Sequence, residues 1–160
     1  MNFLQNSFIG KILLTLLWAM VPVVELRGAI PIGVGVGMPL WISIVVSVIG
    51  NMIPVPFIIL FIRQIFKWMR RLSKTFARIV DKMEQKAEKH RDKVTKYGFW
   101  GLFILVAIPL PGTGAWTGAL VAAMMDLRLK TAIPAIFLGV VGAAVIVSIV
   151  TYGVAAMLVF

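Results

Sequence analysis

Three stretches of this chain carry no charged residue: Gly28 to Ile62, Gly98 to Met125 and Thr131 to Phe160, of 35, 28 and 30 residues. A helix needs roughly 20 mainly apolar residues to cross bilayer hydrocarbon, so blocks of this length confine the chain to an all-α integral membrane fold. Composition agrees, at 61% hydrophobic and 14% charged with a mean hydropathy of +1.00, where soluble domains run at about 45–50% and 25%. In 160 residues there is room for only a few spans. A single unit barely encloses a transport path, so a homo-oligomer, most simply a dimer, is expected.

Between Arg63 and Lys96 lie twelve Lys/Arg and four Asp/Glu, which supply +8 of the formal net charge of +10. A basic loop flanked by membrane-length blocks reads as a cytoplasmic segment of a multi-pass membrane protein, near anionic membrane lipids, and not as a nucleic-acid interface. Residues 63–97 contain neither Gly nor Pro, and their apolar positions fall on two heptad rows: Phe66, Ser73, Val80, Ala87 and Val94, then Met69, Phe76, Met83, His90 and Tyr97. The pattern predicts one basic amphipathic helix on the order of 50 Å long. Its stripe packs either on the membrane surface and its own bundle or against a second subunit, with His90 as a core or boundary residue. With no cysteine, one histidine and six acids, neither a disulfide, a metal centre nor any other cofactor is expected. The apolar run from Phe8 resembles a signal peptide but lacks a small-x-small cleavage site before Pro22, and it is read as part of the mature fold.

The second apolar block is divided by Pro109-Leu110-Pro111-Gly112-Thr113-Gly114 into two arms of 11 residues, Gly98 to Ile108 and Ala115 to Met125. Each arm reaches roughly 16 Å, about half of a 30 Å hydrocarbon core. This length predicts a re-entrant hairpin that returns to the cytoplasmic side at Asp126, Arg128 and Lys130. In the first half, an arm from Phe8 to Val24 leads to Glu25-Leu26-Arg27-Gly28-Ala29-Ile30-Pro31, then to a Gly-rich return, Ile32 to Met38, and a span ending at Ile62. The single membrane domain is thus read as a first hairpin plus span (1–62), a basic helix (63–97) and a second hairpin plus span (98–160). Two opposed hairpins form an inverted repeat, with a site where the halves meet near the midplane. The rival topology has four plain spans and places Arg128 and Lys130 outside.

Glu25 and Arg27 are the only charged residues between Lys11 and Arg63. At membrane depth an unpaired ion costs at least about 2.5–3.5 kcal/mol, so the two either pair with each other, lie in an external loop, or line a wet cavity. In the last case Glu25 is a proton-coupling group and Arg27 binds an anionic substrate group through its planar guanidinium. The second tip is uncharged; the backbone N–H groups of Gly112, Thr113 and Gly114 at the start of a helix are a candidate anion cradle, alternatively a tight turn for close packing. The candidate substrate-binding set is Arg27, Gly28, Pro31 and Asn51 with Pro109, Pro111, Gly112, Thr113, Gly114, Trp116 and Thr117. Asn51, followed by Pro54 and Pro56, marks a kink facing the interior, where it hydrogen-bonds between helices or touches substrate. Gly114 and Gly118, like Gly139, Gly142 and Ser148, present small faces for helix packing. No nucleophile elbow, P-loop, dinucleotide fingerprint or catalytic carboxylate pair is present, so no enzymatic activity is expected.

Glu25-Leu26-Arg27-Gly28-Ala29-Ile30-Pro31 together with Pro109-Leu110-Pro111-Gly112-Thr113-Gly114-Ala115-Trp116-Thr117-Gly118 resembles the small multidrug export protein family of prokaryotes. The resemblance covers essentially the whole chain and implies a multi-pass transporter of the prokaryotic cytoplasmic (inner) membrane that exports drug-like compounds. More distantly, two opposed hairpins with spans are similar to the DedA family and its VTT-domain relatives. That likeness implies lipid movement, including the polyprenyl phosphate carrier, with a hairpin glutamate and a hairpin arginine important. Glu25 matches the acid; the second hairpin here has no arginine, and Arg27 sits in the first. The expected function is proton-coupled movement of an amphipathic substrate, with an anionic-lipid flippase and a non-transporting membrane scaffold as alternatives.

Overall fold

The computed structural model describes residues 7–110 and 113–159, in which eight helices follow one another and no strand occurs. They are α1 (Phe8–Met20), α2 (Glu25–Gly35), α3 (Leu40–Met52), α4 (Pro54–Leu72), α5 (Lys74–Tyr97), α6 (Phe99–Ala107), α7 (Ala115–Met124) and α8 (Leu129–Val159). α3 and α4 meet at Ile53, whose dihedrals are helical, and Pro54 opens α4 at the position where a missing N–H costs nothing. The joined segment Leu40–Leu72 and the segment Leu129–Gly153 are each long and apolar enough to cross a membrane. α1, α2, α6 and α7 have 13, 11, 9 and 10 residues, and at 1.5 Å per residue none exceeds about 20 Å.

The short helices form two helix-turn-helix pairs, α1–α2 and α6–α7, each followed by a long helix. The first arm of each pair packs on the long helix that follows it, α1 on α3 and α6 on α8. The second arms cross over: α7 packs on α4, and α2 packs on α8 as well as on α3. Small residues permit these approaches. A Cβ on Gly139 would sit 2.6 Å from Val106 Cβ and 2.9 Å from the Phe103 carbonyl, and one on Gly118 would sit 2.5 Å from Val106 Cγ2. Gly50 closes on the Leu16 carbonyl in the same way, at 2.6 Å. Ser148 bonds back to the Ala144 carbonyl at 2.6 Å, within its own helix.

Two boundaries differ from the sequence expectation. Residues 63–97 are not one helix: Arg63 to Leu72 complete α4, and α5 starts afresh after Ser73. Ser73 is extended (φ −165°, ψ 160°) and its hydroxyl accepts from the Thr75 and Phe76 amides, the work of an N-cap, so its place in the heptad row concealed a break. α5 turns back along α4, where Arg70 pairs with Asp81 at 2.9 Å and Glu84 at 2.6 Å. The remaining members of that row, Phe66, Val80, Ala87 and Val94, are buried in the chain's own core, packed among α4, α6 and α7. In the first half the turn is 21–24, so Glu25 to Pro31 belong to α2 and are not a loop, and the Gly-rich return remains helical to Gly35. Arms of the second pair begin and end within one residue of the Pro/Gly-defined limits.

Candidate functional site

The turn between α1 and α2 is strained. Val23 and Glu25 both have positive φ, 80° and 49°, a backbone region that costs an L-residue with a Cβ roughly 1–2 kcal/mol. This conformation turns the first residues of α2 toward the tip of the other pair. Glu25, 4% exposed, accepts a hydrogen bond from the Trp116 amide at 3.0 Å. Trp116 is the second residue of α7, so a carboxylate from the opposite half caps that helix at its positive end. Arg27 does the converse. Its guanidinium donates to the carbonyls of Leu110 and Ile108, the latter at 3.3 Å, and to Thr113 Oγ1 at 2.9 Å. Ile108 is the C-cap of α6, where exposed carbonyls favour a cation.

The two charges therefore complement two helix ends, and among the described residues no ion pair joins them. The contact is reciprocal, because Trp116 Nε1 donates to the carbonyl of Met20, the last residue of α1, at 3.1 Å. Thr113 Oγ1 donates in turn toward the Ile108 and Leu110 carbonyls, at 2.7 and 2.9 Å. Gly114 makes this possible, since its φ of 129° favours glycine and any Cβ there would overlap the Glu25 carboxylate.

Beside the clasp lies a cavity of about 570 Å³. Its polar lining is Glu25, Arg27, Thr113 and Thr117, with Lys86 from α5; Pro22, Val23, Pro109 and Trp116 come from the two tips. Ile58 and Ile62 of α4, Met83 of α5 and Leu120 of α7 make its apolar wall. Lys86 faces Glu25 electrostatically alongside Arg27. The shape and chemistry suit a molecule with a polar or charged end and an apolar body.

Of the sequence-predicted residues, Glu25, Arg27, Pro109, Thr113, Trp116 and Thr117 come together here. Gly28, Pro31, Asn51 and Gly114 are not in the cavity lining: Gly28 packs on Val24, Pro31 lies inside α2, and Gly114 makes room for the carboxylate. Pro111 and Gly112 lie outside the described residues. The Thr113 amide, one of the three expected to cradle an anion, donates to the Leu110 carbonyl at 3.2 Å, and the start of α7 is already capped by Glu25. Asn51 is buried without the interhelical hydrogen bond expected of it. Sequence reasoning missed Pro22, Val23, Ile58, Ile62, Met83, Lys86 and Leu120. For Met83 and Lys86 the available signal was the N-cap character of Ser73, which starts α5 afresh and folds it back over this region.

No curated protein and no solved structure matches the chain. Residues 25–146 match the family described as "Putative small multi-drug export protein". The match begins at Glu25, includes both halves of the clasp and extends over well more than half of the chain; the protein belongs to this small multi-drug export family.

Proposed function

We propose that the chain is a proton-coupled exporter of amphipathic compounds across the cytoplasmic membrane, working as a homodimer in which two opposed re-entrant hairpins meet at the clasp. The observation that carries this reading is the cavity beside Glu25 and Arg27, charged on one side and apolar on the other. The length of α7 supports the proposed depth. Its far end lies where Arg63 pairs with Asp126 at 2.6 Å and donates to the Met124 carbonyl at 3.0 Å. Under the positive-inside rule that end is cytoplasmic. Ten residues of α7 lift its Glu25-capped start about 15 Å from there, half of a 30 Å core. The exposed apolar residues Val45, Ile49, Val145 and Ile149 along α3 and α8 face lipid or the second subunit in this arrangement.

In the mechanism, ionised Glu25 holds the start of α7 and Arg27 holds the end of α6, so the tips are closed. A proton on Glu25 removes the charge that complements the α7 terminus, and the tips part around the substrate. Arg27 and Lys86, two cations against one carboxylate at the cavity, favour an anionic headgroup. This balance supports a second reading, translocation of a polyprenyl phosphate or another anionic lipid. The decisive measurement is flux through purified protein in liposomes. Glu25→Gln is expected to abolish the pH dependence of export; unaltered pH dependence would remove proton coupling from this residue. Arg27→Gln is expected to slow anionic-lipid translocation while sparing cationic compounds, and equal rates for parent and variant would rule out the lipid reading.

A further inference from the structure

Thr15, Ser43, Ser47 and Asn51 are four of the seven polar or charged side chains buried among the described residues; Thr15 is on α1 and the other three are on α3. Ser43, Ser47 and Asn51 recur every four residues, on one face of α3. The outer two members are satisfied locally: Thr15 Oγ1 donates to the Lys11 carbonyl at 2.9 Å and Ser43 Oγ to the Pro39 carbonyl at 3.2 Å. The inner two are not. Ser47 Oγ and both polar atoms of the Asn51 amide are buried without a hydrogen-bond partner. An orphaned buried polar group costs about 1–3 kcal/mol, and two such side chains one turn apart lie within the reach of a bridging water.

The direction of this file is set by the packing of α2 on α3. A Cβ on Gly33 would lie 2.7 Å from Ser43 Oγ and 3.1 Å from Thr15 Oγ1, so these three residues share a level. α2 and α3 are joined by residues 36–39 and run in opposite directions. Four residues along from that contact, Ala29 comes level with Ser47; eight along, about 12 Å, Glu25 comes level with Asn51. The other end lies at the 36–39 loop, where a Cβ on Gly37 would meet Lys11 Nζ at 3.3 Å. The polar file thus rises from the Lys11 end of the molecule toward Glu25, and the cavity approaches Glu25 from the side of α4 and α5.

We infer that Thr15, Ser43, Ser47 and Asn51 line a hydrated file that delivers protons to Glu25 from the Lys11 face, an inference that rests on the coupling role proposed above for Glu25. Thr15 and Ser43, whose hydroxyl hydrogens go to backbone carbonyls, accept from water; Ser47 can both donate and accept, and the Asn51 amide anchors the inner end of the hydrogen-bonded chain. A hydronium at that end gives its proton to the Glu25 carboxylate, leaving a carboxylic acid and a water. The charged groups around Glu25 are Arg27 from α2 and Lys86 from α5, together with the positive start of α7; Lys11 stands at the mouth of the file. A proton thus arrives by one route and the substrate by another, which separates the two ligands at a shared group.

The chain has no cysteine, which makes the test clean. Full-length Ser47→Cys and Asn51→Cys, with Val46→Cys as a buried control on another face of α3, are reconstituted in phosphatidylglycerol-containing liposomes and moved into heavy water. Conversion of the thiol S–H stretch to S–D is followed by infrared spectroscopy. Exchange at positions 47 and 51 is expected to run at least about tenfold faster than at 46, because exchange requires water. Equal, slow exchange at all three positions overturns the file, whatever Glu25 does. Proton flux is then compared for Ser47→Ala and Ser47→Thr. The alanine is expected to slow it about tenfold and the threonine, which keeps the hydroxyl, to restore it; an alanine variant at the parent rate also overturns the file. Fast thiol exchange combined with unchanged flux in Glu25→Gln would instead overturn the coupling reading and leave the hydrated file standing.

Discussion

Gly114→Ala is the sharpest probe of the clasp, because one methyl group is asked to occupy the space of a carboxylate. Two costs combine. The φ of 129° at this position penalises a residue with a Cβ by about 1–3 kcal/mol. The Cβ also overlaps the Glu25 carboxylate, so the side chain must leave and its hydrogen bond to the Trp116 amide is lost, a charge-assisted bond worth about 1.5–3 kcal/mol. Together these give about 3–5 kcal/mol, and in a chain of this size the melting temperature in detergent should fall by about 10 °C. Intrinsic tryptophan fluorescence during a thermal ramp reads this directly, since Trp116 is at the contact. Steric collision makes a second, stricter demand: in a Glu25→Ala background there is no carboxylate to displace, and only the backbone term remains. A double-mutant cycle should therefore return a coupling of about 1.5–3 kcal/mol between positions 25 and 114. A Gly114→Ala variant melting within about 2 °C of the parent, or an additive cycle, would show that Glu25 does not cap α7 in the membrane protein.

Three further outcomes test other parts of the structure. Arg27→Lys keeps the charge but cannot reach the Ile108 and Leu110 carbonyls and Thr113 Oγ1 together, so stability should fall by about 1–2 kcal/mol, read as a lower melting temperature. Gly139→Leu drives a side chain into Val106 and the Phe103 carbonyl; it should cost more than about 3 kcal/mol and broaden the protein peak in size-exclusion chromatography. Ser73→Ala removes the N-cap of α5 and should cost about 1 kcal/mol, while Ser73→Asp should melt with the parent.

Length and hydropathy made the helical membrane fold legible, and Pro109 to Gly114 located the second pair of arms almost to the residue, because two prolines and two glycines remove the donors and the rigidity a helix needs. The start of α2 was harder to read. Glu25 looked like part of a loop, since nothing local shows that Val23 and Glu25 take positive φ. Ser73 fell on a heptad row whose other members are apolar or small, and periodicity concealed a cap that its hydroxyl chemistry indicated. Isolation in an uncharged block was enough to single out Glu25 and Arg27. Thr113 and Trp116 stood in the predicted set with them, but which groups they bond was not readable, because the Trp116 amide that caps on Glu25 and the Leu110 carbonyl that accepts from Arg27 are backbone groups 91 and 83 positions away. Lys86 was one lysine among a run of basic residues, distinguished only by the fold-back of α5 that brings it into the cavity lining.

The guanidinium of Arg27 is already served by three oxygens of its own chain, so an incoming molecule meets an occupied binding group and must trade places with a peptide carbonyl or a threonine hydroxyl. Such an exchange gives back most of the enthalpy it releases. Any compound offering a comparable oxygen can compete, none wins by much, and each leaves readily once the original partners return. For the exporter proposed above, tolerance of many cargoes and quick release would both follow from that internal competition, without a pocket tailored to any one of them.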